Sequence, residues 1–274
     1  MNLPPIERLR ARIALLGAPL CLGINPDPSQ LPGELPRNLE GVEIFARGII
    51  QAAGPEAAAI KINPAFFEAY GSAGWAALER VRAAIPGDQV VIVDAKRGDI
   101  ATTAERYATG IFDHLGADGV TLSPYLGEDG IAPFHARAER LLYVLARTSN
   151  PSAATLQDLQ VGGLPLYLHV AEWVAERWPE PRVGLVVGAT APSELERVRA
   201  ACPGPAFLVP GVGAQGGDLD AAVRFCHGEM APGLVAVSRA IAAATSGTDW
   251  QEAASAAARA LSARMQVAGA TLEA

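Results

Sequence analysis

Short apolar runs alternate with longer helical patterns along almost the whole chain. The apolar runs begin near Leu20, Ala59, Val90, Gly119, Leu142, Val183, Phe207 and Val235. Patterns with a repeat of about 3.6 residues, which predict helices, lie between and after them at Trp75–Ile85, Thr103–Leu115, Ser193–Ala201 and Trp250–Val267. Such regular alternation of strands and helices predicts an α/β protein with a parallel sheet.

The strands of this predicted sheet are almost continuously apolar, as in Val90-Val91-Ile92-Val93. This composition is typical of parallel strands that are covered on both faces, in a barrel or in an open doubly wound sheet. No Gly-x-Gly-x-x-Gly turn follows the first strand, and there are eight strand-helix units, so we predict a (β/α)8 TIM barrel. The 274 residues match the roughly 250 that such a barrel needs, which predicts a single domain over residues 1–274.

Two segments outside this alternation have their own interpretation. Near the N-terminus, basic residues precede an apolar run, but Ile6, Leu9 and Ile13 are spaced as on an amphipathic surface helix rather than in a signal peptide. The longest connection between predicted elements is Ser149–Pro165, which we interpret as a mobile lid.

The overall charge and hydropathy exclude several classes of partner. A net charge of -7 argues against a nucleic-acid surface, which needs an excess of Lys and Arg to neutralise phosphates. No apolar run approaches the roughly 20 residues of a membrane span. We therefore expect neither nucleic acid nor a membrane as a partner, and any attraction for an anionic ligand must be local.

The cysteines and histidines indicate neither disulfides nor a metal. Cys21, Cys202 and Cys226 are too few and too scattered for a disulfide framework, which favours a cytoplasmic location. The four histidines, His114, His135, His169 and His227, have no metal-ligand spacing. We expect no metal site and no cofactor.

Charged residues interrupt or close two of the predicted strands. Lys61 lies within Ala59-Ile60-Lys61-Ile62, and Asp94-Ala95-Lys96 closes the run that begins at Val90. Asp94 and Lys96 would share one face of a regular strand, and Asp99 follows at the start of the next helix. Barrel enzymes place catalytic groups at the carboxyl ends of strands. The alternative is a buried ion pair that only fills the barrel, but the presence of all four charges favours catalysis.

A second cluster of candidate residues follows the last two predicted strands. The seventh strand continues into the glycine-rich segment Pro210–Gly217, which includes Gly211, and the eighth ends at Arg239. The loops after the seventh and eighth strands of a TIM barrel often bind phosphate, here through backbone N-H groups and a guanidinium. The alternatives are a tight turn for the glycines and a surface salt bridge for Arg239, although their occurrence on adjacent loops favours a phosphate site.

The segment Asp94-Ala95-Lys96-Arg97-Gly98-Asp99-Ile100 resembles the signature of orotidine 5'-phosphate decarboxylases. Further segments resemble the longer bacterial form (type 2) of that family: Leu22–Pro28, Ala65–Glu68, Ser123–Gly127, Thr148–Pro151, Val187–Thr190 and Val209–Gly217. The resemblance spans most of the chain. It implies a TIM-barrel homodimer whose two active sites share residues, and the conversion of orotidine 5'-phosphate to UMP and CO2, the last step of UMP biosynthesis.

The resemblance also implies roles for single residues. Lys61, Asp94 and Lys96 match the charged residues of the family that come from the same chain, whereas Asp99 and Thr103 match residues contributed by the partner subunit. Positions at the pyrimidine and phosphate ends of the substrate are matched by Ser149, Pro210, Gln215 and Arg239. Asn25 occupies the place of an aspartate that contacts ribose in the family, and Asp27 is a candidate to replace that missing charge.

The chemistry of this reaction explains why a lysine is needed. Loss of CO2 leaves an electron pair at C6 in the plane of the ring, so we expect the Lys96 ammonium to stabilise it and then donate a proton. Two alternatives remain: a metal-dependent sugar-phosphate lyase or decarboxylase of the same superfamily, and a phosphate-binding barrel without catalysis, for which Asn25 is the only indication. The residues of Lys96-Arg97-Gly98-Asp99 and of Thr148–Pro151 favour the pyrimidine enzyme.

Overall fold

A computed structural model describes residues 3–190, 192–213 and 216–273. Within these residues, eight parallel strands close into a barrel in which each strand pairs with the next along the chain and the last pairs with the first. The strands are β1 Leu20–Ile24, β2 Ala59–Ile62, β3 Val90–Arg97, β4 Gly119–Leu122, β5 Leu141–Arg147, β6 Val183–Val187, β7 Phe207–Pro210 and β8 Leu234–Val237. The predicted (β/α)8 TIM barrel is confirmed.

Helices follow the strands and surround the barrel. They are α1 Pro5–Leu16, α2 Leu39–Ala53, α3 Ala65–Glu68, α4 Gly71–Ala83, α5 Ala101–Ala108, α6 Ala132–His135, α7 Ala154–Gln157, α8 Leu166–Arg177, α9 Pro192–Ala201, α10 Leu219–Cys226, α11 Arg239–Ala242 and α12 Trp250–Glu273. Short 3-10 turns occupy Pro28–Gln30, Gly54–Glu56, Glu128–Gly130 and Pro151–Ala153. Across the described ranges, no helix is both long and apolar enough to cross a lipid bilayer.

Local side-chain chemistry fixes several of these helix ends. The side chain of Asn38 accepts a hydrogen bond from the Gly41 amide at the start of α2, and Asp218 accepts two from the first turn of α10. Gly17 ends α1 in the left-handed conformation. The predicted helix Thr103–Leu115 starts two residues earlier than expected and continues after Ala108 as a π-helical segment, Thr109–His114.

The barrel divides the apolar core into two layers. The outer layer lies between strands and helices and includes Phe45 of α2, whose ring centroid is 5.2 Å from that of Trp250 on α12. The inner layer fills the barrel itself with residues such as Cys21, Tyr143 and Leu208. Leu9 of α1 belongs to this inner layer and is fully buried, so α1 closes the barrel at the amino-terminal ends of the strands.

An ion pair fixes α1 in that position. The guanidinium of Arg8 pairs with the buried carboxylate of Asp118, which precedes β4, and the other carboxylate oxygen accepts the Val91 amide at 2.9 Å. The predicted amphipathic helix is therefore present, and its polar face attaches it to the barrel through Arg8.

The predicted lid between β5 and α8 contains regular structure of its own. It comprises the turn Pro151–Ala153, α7 and a two-stranded antiparallel hairpin, Gln160–Val161 with Leu164–Pro165. Arg147 at the end of β5 forms an ion pair of 3.1 Å with Asp158, and Gln157 Oε1 accepts the Thr148 amide at 2.9 Å. These contacts attach the segment to the barrel; its mobility stays a prediction.

Candidate active site

A cavity of about 220 Å³ opens at the carboxyl ends of the strands. Loops from six of the eight strands reach it, as expected for a barrel enzyme. Most of the residues predicted for the site line it together, namely Asn25, Lys61, Asp94, Lys96, Ser149, Pro210, Gly211 and Arg239.

Two predicted residues, Asp99 and Thr103, do not appear in the lining of this cavity. Asp99 lies in the β3–α5 loop, where its carboxylate accepts the Ile100 amide at 2.8 Å. Thr103 is exposed on α5. Gln215 falls outside the described residues. A single chain therefore does not bring Asp99 and Thr103 to the cavity.

Asp94 is the centre of the charge cluster. One of its carboxylate oxygens accepts a hydrogen bond from the Lys61 ammonium, and the other accepts from Lys96 Nζ at 2.6 Å and from Thr121 Oγ1 at 3.0 Å. The Lys61 side chain is 7% exposed and the Lys96 side chain 49%. Lys61 is thus the buried counter-ion, and Lys96 is the ammonium that a ligand can reach.

Burial and charge act in opposite directions on this cluster. Burial alone would raise the pKa of Asp94, but the ammonium groups of Lys61 and Lys96 outweigh it and hold that pKa well below its usual range. Burial would lower the pKa of Lys61, yet the attraction of Asp94 raises it above its ordinary value. Both groups therefore remain charged at neutral pH.

The backbone carrying Lys96 differs from a regular strand. Lys96 has φ +48°, in the left-handed region that favours glycine, and the pairing of β3 with β4 shifts register between Val93 and Arg97. Asp94 and Lys96 do contact each other as predicted, but the strand that carries them is distorted at Lys96. The Lys96 N-H donates to Thr121 Oγ1 at 3.0 Å, which holds this conformation.

The predicted phosphate end of the cavity combines Arg239 with the glycine-rich segment. Arg239 begins α11, is exposed, and makes no ion pair with any residue that the structure describes, which disfavours the alternative of a surface salt bridge. Gly211, Gly213 and Gly216 have positive φ. The amides of Gly216 and Gly217 donate to carbonyls within the loop, so these two are not the free donors that the sequence suggested.

Ser149 reaches the cavity because the residue that packs against it, at the end of the next strand, is a glycine. A Cβ on Gly188, directly after β6, would lie 2.9 Å from the Cβ of Ser149. Any side chain at position 188 would therefore displace Ser149.

Asn25 and Asp27 have separate roles after β1. Asn25 Oδ1 is buried and has no hydrogen-bond partner among the described residues, so its capacity to accept a hydrogen bond is unused. The prediction that Asp27 replaces the missing charge is wrong, because its carboxylate caps the turn Pro28–Gln30 instead. The Ser29 amide donates to it at 2.9 Å, and this hydrogen bond lowers the pKa of Asp27.

No metal site accompanies this geometry in the described part of the chain, where no group of three or more His, Cys, Asp or Glu side chains is placed to hold an ion.

Comparison with known proteins assigns the chain to a family. Residues 19–256 match the family model "Orotidine 5'-phosphate decarboxylase / HUMPS family". The chain belongs to this family. It is 49% identical over 245 residues to the orotidine 5'-phosphate decarboxylase of Roseiflexus castenholzii, covering 88% of this chain and 90% of that protein.

Further members of the family are similar over nearly the whole chain. The orotidine 5'-phosphate decarboxylase of Thermomicrobium roseum is 48% identical, covering 92% of each chain. The solved structure of the OMP decarboxylase of Leishmania donovani superposes with a TM-score of 0.81 at 36% identity and covers 97% of this chain and 99% of that one.

Two polar residues at the site of this orotidine 5'-phosphate decarboxylase family member were not predicted from the sequence. Asn63 lines the cavity one residue beyond β2, and Thr121 on β4 lies behind Asp94. Both carried a usable signal: Asn63 is a polar residue at a strand end, and Thr121 is the one polar side chain in the buried strand Gly119–Leu122.

Proposed function

We propose that this chain decarboxylates orotidine 5'-phosphate to UMP and CO2, the last step of de novo UMP biosynthesis. The observation that carries the proposal is the accessible ammonium of Lys96, held 2.6 Å from Asp94 in the cavity that Arg239 also lines. Membership of the family and the names of its closely similar relatives support the choice of substrate.

Lys96 supplies the chemistry in this proposal. The bond from C6 to the carboxyl carbon breaks, CO2 leaves, and the electron pair stays at C6 in the ring plane, where the π system cannot delocalise it. A neighbouring ammonium lowers the energy of this carbanion, and a proton then passes from Lys96 Nζ to C6. Asp94 and Lys61 keep that ammonium charged and in place.

The remaining residues bind the parts of the substrate that do not react. Arg239 and Gly211 contact the phosphate, and Ser149 and Pro210 contact the pyrimidine end. Asn25 contacts the ribose, together with Thr103 of the partner subunit. Binding energy from the phosphate orients the base against Lys96 without taking part in the reaction.

Ultraviolet monitoring of the purified protein with orotidine 5'-phosphate and EDTA tests the reaction and its proposed independence of metals and cofactors. We expect rapid conversion to UMP by the wild type, none by Lys96→Ala, and a raised KM with much of kcat retained for Arg239→Ala. A wild type that is inert with and without EDTA would contradict the proposal and make sugar phosphates with Mg²⁺ the next substrates to test.

We further propose a homodimer in which Asp99 and Thr103 complete the active site of the partner subunit. The support is that neither residue lines the cavity of its own chain. Four large apolar side chains of the same part of the chain are exposed, namely Ile100 in their loop, Tyr107 on α5, and Tyr125 and Leu126 after β4. A patch of this kind on a monomer marks an interaction surface.

Mixing two inactive variants tests the shared site. Lys96→Ala and Asp99→Ala would each be inactive alone, but random exchange of subunits gives heterodimers in about half of the population, each with one intact site. The mixture should therefore regain about a quarter of wild-type activity. No recovery, despite exchange verified with labelled subunits, would show that Asp99 acts in its own chain.

We also propose that residues 1–274 form one domain that functions in the cytoplasm. The closed barrel within one chain supports the single domain, and the free, buried thiols of Cys21, Cys202 and Cys226 are compatible with a reducing compartment.

A further inference from the structure

Thr121 lies beneath the active site and links its two central residues. It is on β4, next to β3 in the barrel, and is 1% exposed, so it is out of reach of a substrate. Its hydroxyl donates to Asp94 Oδ1 at 3.0 Å and accepts the backbone N-H of Lys96 at 3.0 Å. One side chain from a different strand therefore holds the carboxylate of one residue and the backbone of the other.

Both contacts act on parts of the site that need restraint. Lys96 has a left-handed backbone, a conformation that non-glycine residues keep only when their surroundings hold them. Asp94 Oδ1 is the atom that Lys96 Nζ contacts at 2.6 Å, so the direction of this carboxylate determines where the ammonium lies. The Thr121 hydroxyl thus restrains Lys96 at both ends, through its N-H and through the partner of its ammonium.

We propose that Thr121 is a positioning residue for decarboxylation, which sets the place of Lys96 Nζ relative to C6 of the substrate. This inference rests on the proposed function. The Thr121 hydroxyl suits this role, because it donates to Asp94 Oδ1 and at the same time accepts the Lys96 N-H. A valine of the same shape would remove the acceptor of the Lys96 N-H and one of the three hydrogen bonds that orient the Asp94 carboxylate.

The position of Thr121 predicts an effect on turnover rather than on binding. Thr121 is not among the residues that line the cavity, so substrate affinity should change little. A misplaced ammonium stabilises the carbanion less, and hydrogen bonds to charged groups are strong enough for this to matter. Thr121→Val should lower kcat by roughly tenfold to a hundredfold and change KM by less than about threefold.

Further variants separate this role from a contribution to folding. Thr121→Ser keeps the hydroxyl without the methyl group and should retain kcat within about threefold of the wild type, whereas Thr121→Ala should lose as much as Thr121→Val. Ser262→Ala is the matched control: it removes a different buried hydroxyl, on α12, and should leave kcat unchanged. If Thr121→Val does not fold, the comparison of Thr121→Ser with Thr121→Ala decides.

The inference is overturned if Thr121→Val keeps kcat within about threefold, or if the Ser and Ala variants lose the same activity. It is also overturned if KM rises as steeply as kcat falls. An inert wild type would instead refute the proposed function, and the role of Thr121 with it, so the two failures are told apart by the first assay.

Discussion

The unpaired amide oxygen of Asn25 is the clearest binding determinant that a single residue offers. It is buried at the cavity and lacks a partner among the described residues, so a substrate hydroxyl that donates to it removes an unsatisfied acceptor. Asn25→Ala should raise KM by about twofold to tenfold, the value of one neutral hydrogen bond, and leave kcat nearly unchanged. Steady-state kinetics with orotidine 5'-phosphate measure both, and Asn150→Ala, an exposed amide nearby, is the control. A loss confined to kcat would contradict a ribose contact.

The ion pair of Lys61 and Asp94 predicts how stability depends on pH. Asp94→Asn leaves the buried Lys61 without a counter-ion and should lower the free energy of unfolding by about 3–5 kcal/mol at neutral pH. The folded-state pKa of Asp94 is lowered, so its contribution is complete above the ordinary carboxyl value of about 3.9 and is lost as the pH falls below it. The raised pKa of Lys61 contributes stability that is complete at neutral pH and is lost only in the alkaline range, as the pH rises through the folded-state value.

Urea unfolding of wild type and Asp94→Asn between pH 3 and pH 7 checks this dependence, and the difference between them should shrink toward the acid end. Asp88→Asn is the control, because Asp88 pairs with Arg12 at the surface and should cost at most about 1 kcal/mol at any pH. A difference that stays constant down to pH 3 would argue against a role for the Asp94 charge in stability.

The sequence identified the main charged residues but not the way they are held. Charges at the ends of apolar strands indicated Lys61, Asp94 and Lys96, because such positions are costly without a function. The regular alternation used to place Asp94 and Lys96 on one face does not apply at φ +48°. Thr121 was missed because its contacts depend on the register of β4 against a distorted β3, which sequence periodicity does not encode.

The first helix offers a prediction about how the barrel is closed. Arg8 of α1 pairs with Asp118, whose side chain is 5% exposed, whereas Arg10 of the same helix pairs with the exposed Glu7. Arg8→Ala leaves the buried Asp118 carboxylate with only Arg140, 3.9 Å away, as an ion-pair partner, and should lower the free energy of unfolding by about 3 kcal/mol. Arg10→Ala, the control, should cost at most about 1 kcal/mol. Equal losses in denaturant melts would show that α1 does not depend on the buried pair.

Long elements were predicted well, and short ones were not. The starts of all eight barrel strands were placed within one residue, because their apolar runs are bounded by polar turns. In the β5–α8 connection, α7 has four residues and each hairpin strand has two, which is too short to show a period. These elements are held by Arg147 and Gln157, whose partners are visible only in three dimensions.

The closed barrel implies that each chain of the proposed homodimer folds without the other. Strand pairing is complete within one chain, and both core layers are formed from its own residues, so dimerisation should affect activity more than folding. Tyr125→Glu, at a side chain that is 80% exposed in the proposed interface, should give an inactive, folded monomer. Leu15→Glu, at a 77% exposed position on α1, is the control and should stay dimeric and active.

Light scattering, circular dichroism and the decarboxylation assay together check this prediction. If Tyr125→Glu is monomeric and fully active, each chain contains a complete site and the roles of Asp99 and Thr103 across an interface are excluded. If it is dimeric, the subunits associate through another surface.

The architecture as a whole followed from the pattern of apolar residues, but the layering inside it did not. Continuous apolar strands indicate that both faces are covered without showing what covers them. Leu9 was predicted on an amphipathic surface helix, yet it is fully buried in the inner layer beneath the barrel. Where α1 docks depends on long-range contacts such as that of Arg8 with Asp118, which local spacing cannot reveal.

The left-handed backbone at Lys96 has a consequence for how this protein can change in evolution. Glycine adopts that conformation without steric cost, whereas lysine adopts it at a cost of about 1–3 kcal/mol. Selection for heat resistance alone would therefore favour the loss of Lys96, while selection for growth without added pyrimidines would retain it. A thermostable descendant that still makes UMP must gain its stability elsewhere, and the surface helices can change without disturbing the site.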